Sequence, residues 1–527
     1  MIRQRPTLPA GHGELLTTPV YDEWAALVAA NRSAAESWDF EIGGVDAREL
    51  RAAARCDMLS SAAQFSARLG VPVRPAGLSD APIIATGHQP ELYHPGVWAK
   101  DFLVQRFADE TGATAVDVVV DTDGFDAIRV TSPCMDPGLA RCRQYLALAT
   151  PGACYASTPV PCASALADFR RATSSALESL PAPSVPRHFE RFADCIESAA
   201  HDAENLAELV TFARRRYEAA AQTDYLEVPV TQLAAGEAYA RFVVHLLHDS
   251  RRFAGDHNAE LAAYRAATQT RSAAQPFPDL EIGKERVEVP FWWLAGGTRK
   301  RLYVREVPGG VALVTDDGPV LELPADVHVA TAVLSEAGRA GMLVAPKALT
   351  LTAFVRMLCC DLFVHGVGGG RYDRVTDSVI RRYFGVEPPA YAVASITLYL
   401  PLGAHLVSDA EIAQATERVN RFEHNPDALL ASVDFDDPDE QAQAAALVKE
   451  KARLVADIAA PDADKKRLGM RIREVNAELA GVLAPLKAEL LDDLERLKAQ
   501  RAAADILTDR TYPFCFWDPE EVADKVR

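Results

Sequence analysis

Two stretches of this chain carry residue types that can do chemistry. The first runs Ile83-Ile84-Ala85-Thr86-Gly87-His88-Gln89-Pro90 and is followed, beyond a helix-like segment, by Val118-Val119-Val120-Asp121-Thr122-Asp123-Gly124-Phe125-Asp126. A histidine such as His88 titrates near neutrality, so it can move a proton, polarise an oxyanion or hold a phosphate. The carboxylates of Asp121, Asp123 and Asp126 can hold Mg²⁺ or keep one carboxyl protonated as a general acid. A capped turn histidine and an acidic turn bonded to its own backbone are the plainer explanations. Lys100 falls one turn into the intervening segment, where it can face a crevice or solvent. His94 lies six residues after His88, a spacing that fits the histidine signatures of nucleotidyl transfer poorly.

The second stretch is His365-Gly366-Val367-Gly368-Gly369-Gly370-Arg371-Tyr372-Asp373. Glycines between a strand and a helix let backbone N–H groups approach an anion, and the positive helix end favours negative charge. Gly366, Gly368, Gly369 and Gly370 are therefore candidate anion-binding positions, with His365, Tyr372 and Asp373 beside them as substrate contacts. The run lacks the Lys-Ser/Thr of a P-loop and does not match the dinucleotide fingerprint.

The elements that must position these residues follow from local pattern. From Pro82 a short apolar strand runs to a turn at Gly87, a helix runs from about Gly96 to a stop at Thr111-Gly112, and 113–121 reads as a strand whose unbroken valines suit burial on both faces. The same grammar returns as strand 342–346, helix 349–359, strand 361–365, helix 375–384 and strand 391–399. We expect one doubly wound parallel sheet, an α/β core of residues 81–130 and 340–402, because neither block alone covers both faces of its sheet. Residues 1–80 form a helical lead-in, and 131–339 an insertion that is helical over 160–272 and an antiparallel meander over 287–324. Leu468, Ile472, Val475, Leu479, Val482 and Leu486 make a heptad seam, and Leu447, Leu454 and Ile458 a shorter one. Residues 403–505 are thus expected to form a helical coiled-coil hairpin, separated at Pro461-Asp462-Ala463-Asp464 and broken at Pro485, with 506–527 a tail packing on the core.

A formal charge of −19 argues against nucleic acid as a partner, and no stretch is long and apolar enough for a membrane helix. The amino terminus, Met1 to Pro6, lacks a signal-type apolar core, and nine scattered cysteines suit reduced thiols, so a cytoplasmic protein is expected. Cys134, Cys142, Cys154 and Cys162 lack the close pairs of a zinc site, Cys359-Cys360 suits a buried apolar position, and no metal is assigned.

Thr86-Gly87-His88-Gln89-Pro90, Lys100, the segment from Asp121 to Ile128 and the His365 to Asp373 run together resemble the bacillithiol-biosynthesis cysteine-adding enzymes, the BshC family. That family carries a Thr-Gly-Gln-Gln turn, a Lys-containing helix, a strand ending in a Glu-Asp-His-Asp-Phe-type segment, and a later Gly-Gly-Pro-Gly-Glu loop. The resemblance implies a Rossmann-like core interrupted by insertions and finished by a coiled coil. It also implies a ligase that joins cysteine to an amino-sugar conjugate. The departures are specific: His88 stands at the family's first Gln, Asp123 at its acidic-segment His, and Gly370 and Arg371 at its Pro and Glu.

The function expected is therefore C–N bond formation on a small polar amine or sugar-derived substrate. His88, Asp123 and Asp126 are the expected catalytic residues, with Gln89, Lys100, Asp121, His365, Tyr372 and Asp373 binding substrate. An ATP-binding, nucleotidyltransferase-like enzyme using Mg²⁺ and an inactive coiled-coil scaffold are the alternatives. A homodimer through the helical hairpin is compatible with each.

Overall fold

The computed structural model describes residues 7–135, 139–272, 275–402, 407–433, 435, 437–460 and 463–527. The 1–6 segment and Pro461 and Asp462 of the expected separator lie outside the described residues. The chain forms two compact units, one of Met1–Met135, Arg141–Leu400 and Arg510–Arg527, the other of Asp136–Ala140 and Pro401–Asp509. The lead-in, core and insertion expected as separate regions thus share one unit. The protein is a mixed α/β chain, and none of its described helices is long and apolar enough to cross a membrane.

The first unit is built on a six-stranded sheet. Its strands are β1 (Leu15–Thr18), β2 (Ile83–His88), β3 (Thr114–Val119), β4 (Leu226–Pro229), β5 (Leu362–His365) and β6 (Ala392–Ile396). They lie in the order β1-β6-β5-β2-β3-β4, all parallel except β1, which pairs antiparallel with β6. From β2 the chain proceeds outward to β3 and β4, then returns to the other side of β2 for β5 and β6. A crevice opens at such a reversal, outside the carboxyl ends of the two strands that flank it. Those ends are His88 and His365.

Three placements differ from the sequence-based expectation. Leu343–Pro346 belongs to the meander, pairing antiparallel with Val287–Ala295 rather than joining the parallel sheet. A four-residue apolar strand does not encode its partner's direction. β4 lies inside the insertion and β1 inside the lead-in, both short and lacking the long apolar run of a central strand. The helix after the glycine run starts at Val367, not 375, so the glycines form its first turn.

Helix α1 (Ala47–Ser66) closes the amino edge of the sheet, α2 (Pro95–Thr111) connects β2 to β3, α3 (Leu206–Glu218) precedes β4, and α4 (Val367–Phe384) connects β5 to β6. α2 begins with Pro95 in its first turn and the His94 side chain accepting from the Gly96 amide, and it ends at Gly112 in the left-handed conformation. At the amino edge, Arg51 and Arg55 of α1 both reach Asp361, whose carboxylate also accepts from the Ile83 amide, so one side chain ties α1, β2 and the start of β5 together. Arg510–Arg527 belongs to the first unit: Phe514 is fully buried, and its amide donates to the Tyr93 carbonyl at 2.7 Å.

The second unit contains the helices Asp409–His424, Pro438–Ile458, Lys465–Val482 and Ala484–Leu507. Val475 and Leu479 of the expected seam are fully buried with Phe422, Ala444 and Leu447. Pro485 lies in the first turn of the last of these helices, so the break falls where the sequence places it.

One cysteine expectation is revised. Cys134 and Cys142 form a disulfide with an S–S distance of 1.97 Å, whereas the remaining seven cysteines are free. A single bridge eight residues long is no disulfide framework, and nothing in the spacing distinguished it.

Candidate active site

A cavity of about 660 Å³ occupies the crevice at the reversal, a size suited to a small metabolite. His88, Gln89, Lys100 and Asp123 line it from the β2–β3 side, and His365, Gly366, Gly368, Gly369, Arg371, Tyr372 and Asp373 from the β5 side. The two stretches singled out in the sequence thus meet at one place, although more than 230 residues of chain separate them.

On the first side, the His88 ring packs edge-on against Tyr93 with centroids 5.1 Å apart, and its Nδ1 lies 3.1 Å from the Gln89 carbonyl. That carbonyl can only accept, so Nδ1 carries the proton and Nε2 is the acceptor. Burial, helped by the nearby Lys100 charge, pushes the imidazole down to about 3. His88 is therefore neutral at physiological pH, and the expectation of a group poised to ionise near neutrality is corrected. Lys100 is 1% exposed, so the solvated-helix explanation fails. Its Nζ donates to Thr86 Oγ1 at 2.9 Å and to the Gly87 carbonyl at 3.0 Å. Burial lowers its basicity, with Asp101 and Asp117 partly opposing.

The three carboxylates of the acidic segment diverge. Asp123 lines the cavity, accepting from Gln89 Nε2 at 3.0 Å and Arg299 Nη1 at 3.2 Å. Burial raises its carboxyl, with Arg299 and Gln89 opposing. Asp126 is exposed and outside the cavity lining, which corrects its catalytic assignment. Asp121 is buried and directed away, accepting from the Thr231 amide at 3.0 Å and from Thr231 Oγ1 at 2.5 Å. It fixes the turn after β4 instead of binding substrate. The chain turns at Asp121-Thr122 and bends at Asp123, so residues close in sequence have different surroundings. A shared Mg²⁺ does not fit this segment, and no group of three or more metal-ligating side chains occurs among the described residues.

Asp121 supplies a pH prediction. Burial raises its carboxyl to about 7, against roughly 3.9 in an unfolded chain. Between these values the folded chain keeps a proton that the unfolded chain has released, so stability falls as the pH rises through that window. Asn matches the protonated carboxyl in shape and hydrogen bonding. Asp121→Asn is therefore expected to gain on the parent from about pH 4.5 to about pH 7, by at most about 1.4 kcal/mol for every pH unit crossed. Urea unfolding at both pH values checks this, and an unchanged gap contradicts it.

On the β5 side, His365 Nε2 lies 2.8 Å from Asp373 Oδ2. Thr352 Oγ1 donates to Oδ1 of the carboxylate at 2.7 Å, and Arg356 Nη1 donates to the same Oδ2 that faces His365. Despite burial, Arg356 and His365 keep the Asp373 carboxyl well below the usual range. The ionised carboxylate fixes Nε2 as the protonated nitrogen, leaving Nδ1 as acceptor. The His365 ring is wedged between Phe363 and Tyr391, with centroids at 4.6 and 5.0 Å. This is the geometry of an oriented general base. Asp373, expected to bind substrate, is instead occupied by Arg356, Thr352 and His365.

Gly366 caps α4 without a side chain, and the first-turn amides of a helix have no intrahelical acceptor, so Val367, Gly368 and Gly369 present N–H groups at the cavity wall. Gly370 has another role: its amide donates to the Gly366 carbonyl at 2.9 Å. A Cβ there would lie 2.4 Å from Val393, so packing on β6 requires glycine. Tyr372 is 39% exposed at the rim, edge-on to Phe277.

Sequence reasoning missed Arg510. It lines the cavity from the carboxy-terminal tail, donating through Nη2 to Ser395 Oγ and the Ile396 carbonyl, both at 2.8 Å. Its Nε and Nη1 are buried without a hydrogen-bond partner. A Cβ on Gly96 would lie 2.4 Å from this guanidinium, which explains the glycine after Pro95. No periodicity or motif surrounds Arg510, so only the expectation that the tail packs on the core pointed towards it. Of the basic side chains lining the cavity, Lys100, Arg371 and Arg510 form no ion pair among the described residues, whereas Asp123 and Asp373 are each matched by an arginine. The surplus is positive, and the complementary ligand is an anion.

Beneath this wall lies a charge network. Arg214 of α3 reaches Asp101 at 3.1 Å, Asp117 at 3.0 Å, Glu218 at 3.2 Å and Glu227 at 2.6 Å, and all five side chains are almost fully buried. Burial, reinforced by Asp117, pushes the Asp101 carboxyl up to about 8. Compared with known proteins, the chain matches no protein-family model and no curated protein.

Proposed function

We propose that the chain is an enzyme of small-molecule metabolism that forms a C–N bond on a small anionic substrate, in the manner the resemblance to the BshC family implies. The observation that carries this reading is the meeting, in one cavity at the strand reversal, of an oriented histidine and basic side chains without carboxylate partners. The parallel order β6-β5-β2-β3-β4 supports a Rossmann-like doubly wound core, and the heptad positions buried at Val475 and Leu479 support a coiled-coil hairpin.

In this reading the Gly368 and Gly369 amides and Arg510 hold the anionic group. The amine nitrogen attacks a carboxyl carbon, His365 Nδ1 takes the proton that the nitrogen loses, and the imidazolium so formed, stabilised by Asp373, gives it to the carboxyl oxygen that leaves as water. Asp123, bridged to Gln89 and Arg299, positions the amine. The family's acidic-segment histidine is replaced by Asp123, so the proton-transfer role moves to His365. The nucleotidyltransferase alternative loses the carboxylate set that would carry Mg²⁺, because Asp121 is held by Thr231 and Asp126 is exposed outside the cavity lining.

The test is direct. Purified protein is incubated with cysteine and glucosaminyl-malate, and with other amine and carboxylate pairs, and products are sought at the summed mass less one water. A product absent with His365→Gln supports the reading. No product from any pair, together with no thermal shift from any anionic ligand, overturns it in favour of an interaction scaffold.

A further inference from the structure

The geometry of Lys100 points to a second chemistry at this cavity. Its Nζ has two hydrogen-bond partners, Thr86 Oγ1 and the Gly87 carbonyl. Both can only accept from it, since the Thr86 hydroxyl spends its own proton on the Val364 carbonyl at 2.9 Å. An ammonium carries three N–H donors, whereas a neutral amine carries two N–H donors and a lone pair. The partners on β2 therefore satisfy the neutral amine completely and leave its lone pair as the uncommitted position. An ammonium here would keep one donor unpaired, with no carboxylate in ion-pair contact among the described residues, in a side chain that is 1% exposed.

What surrounds the amine is equally specific. His88 is neutral, with Nε2 as its accepting nitrogen. Arg510 has two unpartnered guanidinium nitrogens at the same cavity, and the first-turn amides of α4 line the opposite wall. A buried, uncharged amine beside a proton relay and an anion seat is the arrangement that lets lysine act as a nucleophile towards a carbonyl group.

We propose that Lys100 forms a Schiff base with a small aldehyde or ketone that carries a carboxylate or phosphate. The Nζ lone pair attacks the carbonyl carbon, and the C–N bond forms as the proton leaving nitrogen passes to the carbonyl oxygen through His88. A second proton allows that oxygen to depart as water, leaving the protonated imine, so amine, carbonyl compound and one proton give iminium and water. No cofactor or redox partner enters the balance. The proposal rests on the reading of the cavity as an active site, and it names the carbonyl class of substrate.

The experiment is reductive trapping. The full chain is incubated with sodium cyanoborohydride and, separately, pyruvate, glyoxylate or glucose 6-phosphate, then digested and mapped by mass spectrometry. The peptide containing Lys100 is expected to be labelled at least tenfold more than peptides carrying exposed lysines, and excess inorganic phosphate is expected to suppress that labelling alone. Labelling of Lys100 no greater than that of exposed lysines overturns the proposal. Thermal shift with the same compounds separates the two readings: a shift lost in Arg510→Met but without trapping removes Lys100 as nucleophile and keeps the active site, whereas neither shift nor trapping removes both.

Discussion

Arg214→Met is expected to destabilise the first unit by about 3–5 kcal/mol, the cost of removing one partner from a buried ion pair. Arg214 faces Asp101, Asp117, Glu218 and Glu227, and its side chain is 4% exposed. Arg215 partly covers Glu218 at 3.2 Å and Glu227 at 3.5 Å, but no other arginine reaches Asp101 or Asp117 among the described residues. Asp101, already raised, would take up a proton, which limits the loss. Asp117 would remain in the fully buried strand β3 with its Oδ1 already unpartnered. Domains of ordinary stability have only about 5–15 kcal/mol in total, so the variant is expected to unfold at markedly lower denaturant. Urea titration followed by circular dichroism measures this, and a change below about 1 kcal/mol contradicts the account of the network.

The second large effect concerns turnover. His365→Gln is expected to lower kcat by roughly 10²–10⁴ in the condensation assay, the range that a positioned general base contributes. Substrate affinity should change much less, because the anion is held by Arg510 and the α4 amides. Gln keeps a polar side chain near Asp373, and Arg356 and Thr352 still occupy that carboxylate, so folding should be little affected. A variant with unchanged kcat would remove His365 from the chemistry. A variant with unchanged kcat but raised KM would make it a binding group instead.

The sequence carried the site's location better than its roles. The end of β2 and the start of α4 were legible because a strand, a glycine turn and a helix leave a strong local signature, and parallel pairing then places their carboxyl ends together. The roles of Asp121 and Asp126 were not legible, because a turn of two or three residues decides which way each carboxylate points. Nor were the partners that define the other groups. Arg356 and Thr352 for Asp373, Arg299 for Asp123 and Arg214 for Asp101 are all supplied across the fold, 17 or more residues away. For Lys100 the sequence left crevice and solvent both open, and only the burial of α2 along most of its length decides between them.

The coarse architecture divides in the same way. Long periodic segments, such as the seam through Val475 and Leu479, needed no tertiary information. Short strands did. Leu226–Pro229 and Leu15–Thr18 enter the central sheet and Leu343–Pro346 leaves it, and only their pairing partners distinguish the three.

The most direct measurement of the central claim, that the cavity is an anion-binding active site, is calorimetric titration of malate and of inorganic phosphate into the parent protein and into Arg510→Met. Charge-assisted hydrogen bonds contribute about 1.5–3 kcal/mol each, so binding by the parent is expected to weaken roughly ten- to a hundredfold in the variant. Equal affinity in the two proteins, or no binding by either, would contradict the claim.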